Sequence, residues 1–211
     1  MEGALVTLRL FIAGLGLGVV LGIPLAFGQI YGNKLIRGLI AVYERVLRSI
    51  PLLVILFLLY YGLPLLGIRF PPMVAAILGL GLRSSAYQSQ IFRGAILSIS
   101  ESQLKAALSL GMTGIQAFFH IILPQAIRIA IPPFANEAAI VLKDTSLAYA
   151  LGVIELLRQG YYVMTNTAEP LAVFVAIGAI YFVMTVSINT GLARVEKGLK
   201  IPGIGVEEGI G

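Results

Sequence analysis

The fold class predicted for these 211 residues is all-α and membrane-integral: five transmembrane helices, with one short cytoplasmic helix between the third and the fourth. Two totals and one pattern predict it. Hydrophobic residues make up 58% of the chain and charged ones 12%, against about 25% charged in ordinary soluble domains. The mean hydropathy is +0.95. The pattern is a series of uncharged stretches of about 20 residues, the length an α-helix needs to cross hydrocarbon, separated by short basic segments. Cysteine is absent, which excludes a disulfide framework and a thiolate metal site. The net charge of +5 does not point to nucleic acid, because no Lys/Arg run with interleaved aromatics occurs. Basic loops of a polytopic membrane protein account for it.

The elements follow in order. The opening "MEGALVTLRLFIAGLGLGVVLGIPLAFGQ" lacks the basic start and cleavage site of a signal peptide, so it is the first span, with 24 uncharged residues between Arg9 and Lys34. Gly14, Gly18 and Gly22, four apart, read either as a close-packing stripe or as a merely flexible apolar helix. The 20 uncharged residues between Arg48 and Arg69 form span two. Phe70 to Phe92 is apolar apart from Arg83 and follows "FPP", whose prolines suit a helix entry; this is span three. Ile121 to Thr145 carries Pro124, Pro132, Pro133, Arg128, Glu137, Lys143 and Asp144 at membrane depth, which predicts an irregular span four. Pro170 to Ala193, uncharged over 24 residues, is span five. With no internal repeat or linker, residues 1–211 form a single transmembrane domain. The tail from Ile201, "IPGIGVEEGIG", is too glycine-rich and aperiodic to predict an element.

Five spans place the termini on opposite sides. With the N-terminus outside, the cytoplasmic segments hold Lys34, Arg37, Arg45, Arg48, Arg93, Lys105, Arg194, Lys197 and Lys200, while the outer side holds Arg9, Arg69 and Arg158. Nine against three fixes the expected orientation: N-terminus outside, C-terminus and residues 98–120 in the cytoplasm. That cytoplasmic stretch is unusual. Ala106 to Ile127 is uncharged for 22 residues, yet Gly111, Thr113, Gly114, Gln116, His120 and Pro124 interrupt it. Its apolar residues Ala107, Leu110, Ile115, Phe118 and Phe119 keep to one side. Such a segment either presses into a groove on a partner protein or lies on lipid.

The motif "KAALSLGMTGIQAFFHIILPQA" supplies a resemblance, through Ala106, Ala107, Gly111, Ile121, Leu123 and Pro124. It resembles the cytoplasmic EAA loop of ABC importer permeases. "RSIPLLVILFLLYYGLP" (Arg48 to Pro64), "SSAYQSQIFRGAI" (Ser84 to Ile96) and "LKDTSLAYALGVIEL" (Leu142 to Leu156) are similar to the polar amino acid uptake branch of that family, in the right order over half the chain. The resemblance implies the permease core of a type I ABC importer in a prokaryotic plasma membrane, working as a dimer of itself or a close relative. It implies separate ATPase subunits that carry ATP and magnesium, an external solute-binding protein, and a polar amino acid as substrate. Ala106, Ala107, Leu110, Gly111 and Met112 would then form the ATPase-coupling surface, Gly111 permitting chain reversal and close approach. Two positions depart from the family pattern: Lys105 and Gln90 stand where Glu is usual.

This chain holds no phosphate-binding loop of the G-x-x-x-x-G-K-[ST] type, no paired carboxylates in a plausible cleft and no metal cluster, so neither catalysis nor a cofactor of its own is expected. The chemistry expected of it lies in its membrane-depth charges. An ionisable side chain there costs about 2.5 to 3.5 kcal/mol by insertion scales and must meet a partner or a wet cavity. Arg83, Glu137, Lys143 and Asp144 are candidates to hold an amino acid's ammonium and carboxylate; the alternative is that they pair with one another to hold the bundle. Glu155 is a further candidate, or half of a helical ion pair with Arg158. His120 reads as an interfacial or capping residue. The rival function is a self-sufficient carrier driven by an ion gradient, which would not need an Ala/Gly docking segment.

Overall fold

The computed structural model describes residues 2–199, all helices and connections; the tail from Ile201 lies outside the described residues. The helices are α1 (Glu2–Tyr31), α2 (Lys34–Ser49), α3 (Leu52–Phe57), α4 (Pro72–Leu97), α5 (Glu101–Ser109), α6 (Gly114–Ala117), α7 (Leu123–Asp144), α8 (Leu156–Thr167) and α9 (Pro170–Leu199). π-helical turns at Leu58–Gly62 and Phe118–Ile122 extend α3 and α6, and 3₁₀ turns follow at Leu63–Leu66 and Thr145–Leu151.

The bundle is organised around α4. Small residues let backbones approach where lipid removes the usual hydrophobic drive, and the glycines of α1 serve that purpose. A Cβ added at Gly14 would stand 2.9 Å from Leu80 Cβ, one at Gly22 would stand 3.0 Å from Gln88 Cβ, and one at Gly18 would run into Gln88 and Ser84. Gly14, Gly18 and Gly22 are therefore a packing stripe. Each step of four along α1 meets a step of four along α4, so the two helices run parallel. On the other side α7 runs antiparallel to α4, with Ala95 packed with Ala126 and Ala130 at one end and Ser84 bonded to Glu137 further along. Leu10, Leu52, Leu56, Leu80, Val141 and Leu142 join these helices to α3 in one apolar core.

This arrangement sorts the connections to two ends. At one end lie the C-terminus of α1, α2, the end of α4, α5 and α6: Gln29 donates to Glu44, and the Phe27 and Phe118 rings meet edge to face at 5.3 Å. At the opposite end the Leu156 amide donates to Thr7 Oγ1 at 3.1 Å, joining the start of α1 to α8.

Three sequence expectations change here. Span two is not a straight helix; α2 meets the Leu52–Leu66 segment at 105°, because Pro51 cannot continue α2 and only six residues are α-helical before the π turn. The α2 segment, expected as a loop, is an amphipathic helix capped by Asn33, whose side chain accepts from Ile36 N at 2.9 Å. Among the described residues three helical stretches are long and apolar enough to cross a membrane (Glu2–Tyr31, Gly114–Leu151 and Pro170–Gly198), or four when the bent pair counts as one. The expected span three, α4, is not among them, since Arg83, Ser84, Ser85, Gln88, Ser89 and Gln90 make it polar where other helices cover it. Span four does hold its inner prolines within α7, and its irregular backbone sits in the turns at its two ends.

Candidate functional site

A polar track runs along α4. Arg83 and Tyr87 stand four residues apart and so share one side of the helix. Arg83 donates to Asp144, at the end of α7, in a 2.7 Å ion pair whose side chains keep 20% and 24% of their exposure. The Arg83 guanidinium also lies 4.9 Å from the centre of the Tyr87 ring, and Arg48, from the end of α2, lies 5.0 Å from the same ring. Asp144, Arg83, Tyr87 and Arg48 thus form a connected series open to solvent, alternating in what it offers a zwitterion. The pair 83/144 is not the 143/144 partnership adjacent residues invite: Lys143, one position before Asp144, is exposed.

Glu137 and Glu155 are differently employed. Glu137 is buried, accepts from Ser84 Oγ at 2.8 Å, and belongs to a chain in which Gln88 donates to Ser84 and to the Leu15 carbonyl. It ties α7 and α4 to α1. Glu155 forms no ion pair with Arg158 among the described residues, which corrects that expectation. It is the N-cap of α8: its carboxylate accepts from the Leu157 and Arg158 amides at 2.8 Å each and from Tyr181 Oη at 3.1 Å. Arg158 instead reaches Tyr162 Oη and the Tyr149 ring. A cap satisfies amides a helix start leaves open and aligns with the helix dipole, which outweighs an exposed ion pair.

The interrupted stretch is two short helices joined by a glycine turn. Gly111 has φ +83°, its amide donates to the Leu108 carbonyl at 3.0 Å, and the Met112 amide donates to Ala107 at 3.2 Å. That is a Schellman termination, whose left-handed position favours glycine. A Cβ at Gly111 would meet nothing of this chain within 4 Å, so within the chain it is the left-handed conformation that calls for glycine there. Thr113 and Gln116 then form a reciprocal capping box that starts α6. The five residues expected at the coupling surface separate: Ala106, Leu110 and Gly111 are exposed, Met112 is half-buried, and Ala107 is buried within the chain itself. Leu110 and Ile115 expose 83% and 74% of their surface, whereas Ala107 is buried and Phe118 packs on Phe27, so the apolar residues of this stretch divide between the surface and the bundle. Lys105 forms an exposed ion pair with Glu101 at 3.4 Å, which offsets locally the charge it brings in place of the usual Glu. His120 is exposed and bonds through Nδ1 to the Gln116 carbonyl at 2.9 Å, as an interfacial residue would.

Sequence reasoning missed Glu44, Arg48 and Tyr87. Glu44 is a buried carboxylate on α2 that accepts from Ser89 at 2.6 Å, Gln90 at 2.5 Å and Gln29 at 3.3 Å. The amide at Gln90 is therefore a donor to this carboxylate, which a glutamate there could supply only if protonated. The signal available was the four-residue spacing of Arg83 and Tyr87. A cavity of about 620 Å³ between α1, α4 and α7 is walled by Phe27, Phe92, Phe118, Phe134 and aliphatic side chains, and offers a polar solute nothing.

The fold is that of a helical membrane protein with a polar track and a half-buried ion pair inside the bundle. The particular family follows from comparison: the chain belongs to the binding-protein-dependent transport system inner membrane components, whose family model matches residues 18–201. It is 34% identical to the glutamine transport system permease protein of Escherichia coli strain K12, over 95% of this chain and 92% of that one. It is 42% identical to a probable amino-acid permease protein of Bacillus subtilis, over 86% and 82%. The crystal structure of an amino acid ABC transporter with histidines superposes with a TM-score of 0.87 at 34% identity, covering 93% of this chain and 92% of that one. An inward-facing methionine ABC transporter shares the fold, with a TM-score of 0.79 at 19% identity.

Proposed function

We propose that this chain is the permease subunit of an ATP-driven importer of polar amino acids, and that Arg83 and Asp144 receive the two charged ends of the substrate. The observation that carries the site is the 2.7 Å pair itself. A zwitterionic amino acid can exchange partners with it, carboxylate to Arg83 and ammonium to Asp144, with little change in net charge; Lys143 stands beside it as a second carboxylate partner. Glu137 and Glu155 hold helices in place and leave the substrate to that pair.

The transport cycle is alternating access by a dimer, of this chain with itself or a close relative. Two ATPase subunits bind ATP and magnesium and dock on the exposed α5–α6 turn, through Ala106, Leu110 and Gly111, with Met112 and Ala107 supporting its shape. ATP favours the outward-facing state by its differential affinity for the closed ATPase dimer, and a loaded external binding protein favours the same state. The sparse covering of α9, of whose most apolar window 6% is buried, suits a helix that meets lipid or a second subunit. Five crossings are supported by the two-ended arrangement: α1 and α4 run parallel, and the bent α2–α3 segment lies between them in sequence. The basic residues of α2 and α5 gather at one end, which we assign to the cytoplasm. Membership of a binding-protein-dependent family favours this reading over a gradient-driven carrier.

The test is reconstitution with an ATPase subunit and a binding protein of the amino acid class. Nucleotide-dependent uptake is expected, abolished in Arg83→Gln. Uptake by the chain alone in liposomes, without nucleotide, would sink the proposal.

A further inference from the structure

Below Tyr87, toward the α5 end, lies a second cavity of about 470 Å³ between α1, α2 and α4. Arg45, Arg48 and Arg93 line it together with Glu44, Gln90 and Tyr87. Its one carboxylate is already occupied. Ser89, Gln90 and Gln29 donate to Glu44, all neutral groups, and among the described residues no guanidinium comes within ion-pair distance of it. Three guanidiniums therefore line the cavity beside one carboxylate that already accepts three hydrogen bonds from neutral groups. Arg93 Nε is buried without a hydrogen-bond partner among the described residues, an arrangement that costs free energy and that an acceptor in the cavity would relieve.

The side from which that acceptor comes is set by α2. Leu35, Leu39, Val42 and Val46 recur at intervals of four, three and four, and are 70%, 63%, 61% and 46% exposed. At about 100° per residue they share one face, with Glu44 and Arg48 on the opposite half. The cavity thus lies on the side of α2 away from its apolar face and reaches solvent past Arg45, Arg48 and Ser49, which are exposed. Its upper wall is Tyr87, the ring on which both Arg83 and Arg48 stack.

We infer that this cavity is a second carboxylate station, which receives the α-carboxylate of the substrate after it leaves Arg83, with Arg48 and Arg93 as its ligands and Tyr87 as the partition between stations. The inference rests on the amino acid reading of the Arg83–Asp144 site. Arginine suits the task, since its planar fork meets a carboxylate with two parallel hydrogen bonds, whereas a lysine offers a point charge.

Because the chain has no cysteine, Ala41→Cys in the cavity wall gives the full-length protein a single reporter thiol. In phosphatidylcholine nanodiscs, an anionic methanethiosulfonate is expected to react on the order of tenfold faster than a cationic one, as a focused positive field requires. L-glutamine should slow the anionic reagent, and 4-aminobutanamide, which lacks the carboxylate, should not. Arg48→Gln with Arg93→Gln should abolish both the rate difference and the protection. Arg48→Lys with Arg93→Lys should keep the rate difference and lose the protection, which separates recognition from charge and guards against misfolding of the neutral pair. Equal rates for the two reagents, or equal protection by both solutes or by neither, would overturn the inference. So would protection by added phosphatidylglycerol in place of glutamine. Nucleotide-driven uptake by the parent complex is read separately, so a failure of the transport proposal would not mimic any of these outcomes.

Discussion

Arg83 and Asp144 form the 2.7 Å ion pair of the polar track, and their half-exposed setting decides how a substitution there behaves. Asp144→Asn leaves the Arg83 guanidinium with a neutral partner. The loss should fall between the surface and buried limits for a broken pair, about 1 to 3 kcal/mol, and appear as a lower melting temperature in detergent. Neutralising both, with Arg83→Gln, should restore thermal stability. Uptake should stay lost if the pair binds substrate; recovery of stability and uptake together would reduce it to a structural tie. Lys143→Gln is the contrast, because Lys143 is exposed and its removal strands nothing; stability should stay within about 0.5 kcal/mol. The set was legible in the sequence and the partnership within it was not. Charge at membrane depth grouped Arg83 with Glu137, Lys143 and Asp144, but Arg83 and Asp144 are 61 positions apart, and spacing along the chain does not say which of the four meet. The roles of single residues were legible where local geometry alone fixes them. Gly111 was read as a reversal and has the left-handed backbone a reversal needs, whereas Glu155 was read as an ion pair because glutamate is an uncommon cap and its competing amide donors do not show in side-chain letters.

At the scale of elements, legibility followed uniformity of environment. Helices α1 and α9 are apolar all round and announced themselves, while α2 was read as a loop because four of its residues are basic. Its row Leu35, Leu39, Val42 and Val46 was the missed signal, helical in period but diluted by charge. The glycine stripe of α1 had two readings, and packing decides between them. Gly18→Leu should force α1 from α4 at Gln88 and Ser84, costing about 1 to 3 kcal/mol as overpacking does, whereas Gly16→Leu, where a Cβ would meet nothing within 4 Å, should be tolerated. Equal melting temperatures for the two variants would count against the stripe. The α5–α6 turn gives a second test. Gly111→Val should distort the Schellman turn and lower uptake while basal ATPase activity of the complex persists; Gly111→Asn, which tolerates the left-handed region, should retain most coupling. For the docking face the informative substitution is Ala106→Asp, on an exposed position. Ala107→Asp would bury a charge inside the chain itself and report on folding instead.

The whole molecule adds what no element carries alone, namely which end of each helix shares water with which. Parallel packing of α1 on α4 requires the chain to return between them, and the bent α2–α3 segment is the only stretch available for that return. Its 105° corner explains why a simple count of long apolar helices stops at three or four: part of the return runs along the end of the bundle as α2, and the rest crosses on a mixture of α, π and 3₁₀ turns. The helix α4 escapes the same count because it is polar where it meets Glu44 and Glu137, which are buried, and Asp144, which is partly so. A fold with α5 and α6 at one end and α8 at the other then makes a labelling prediction that depends on no partner. In this cysteine-free chain, a cysteine at Ser100, at the start of α5, should be shielded from an impermeant thiol reagent in intact cells and should react once the membrane is opened. A cysteine at Thr167, at the end of α8, should react in intact cells. The reverse pattern would turn the orientation over while keeping the fold, and reaction of both in intact cells would break the two-ended arrangement, since it would place on one side of the membrane two segments that the parallel and antiparallel packing of α1, α4 and α7 holds apart.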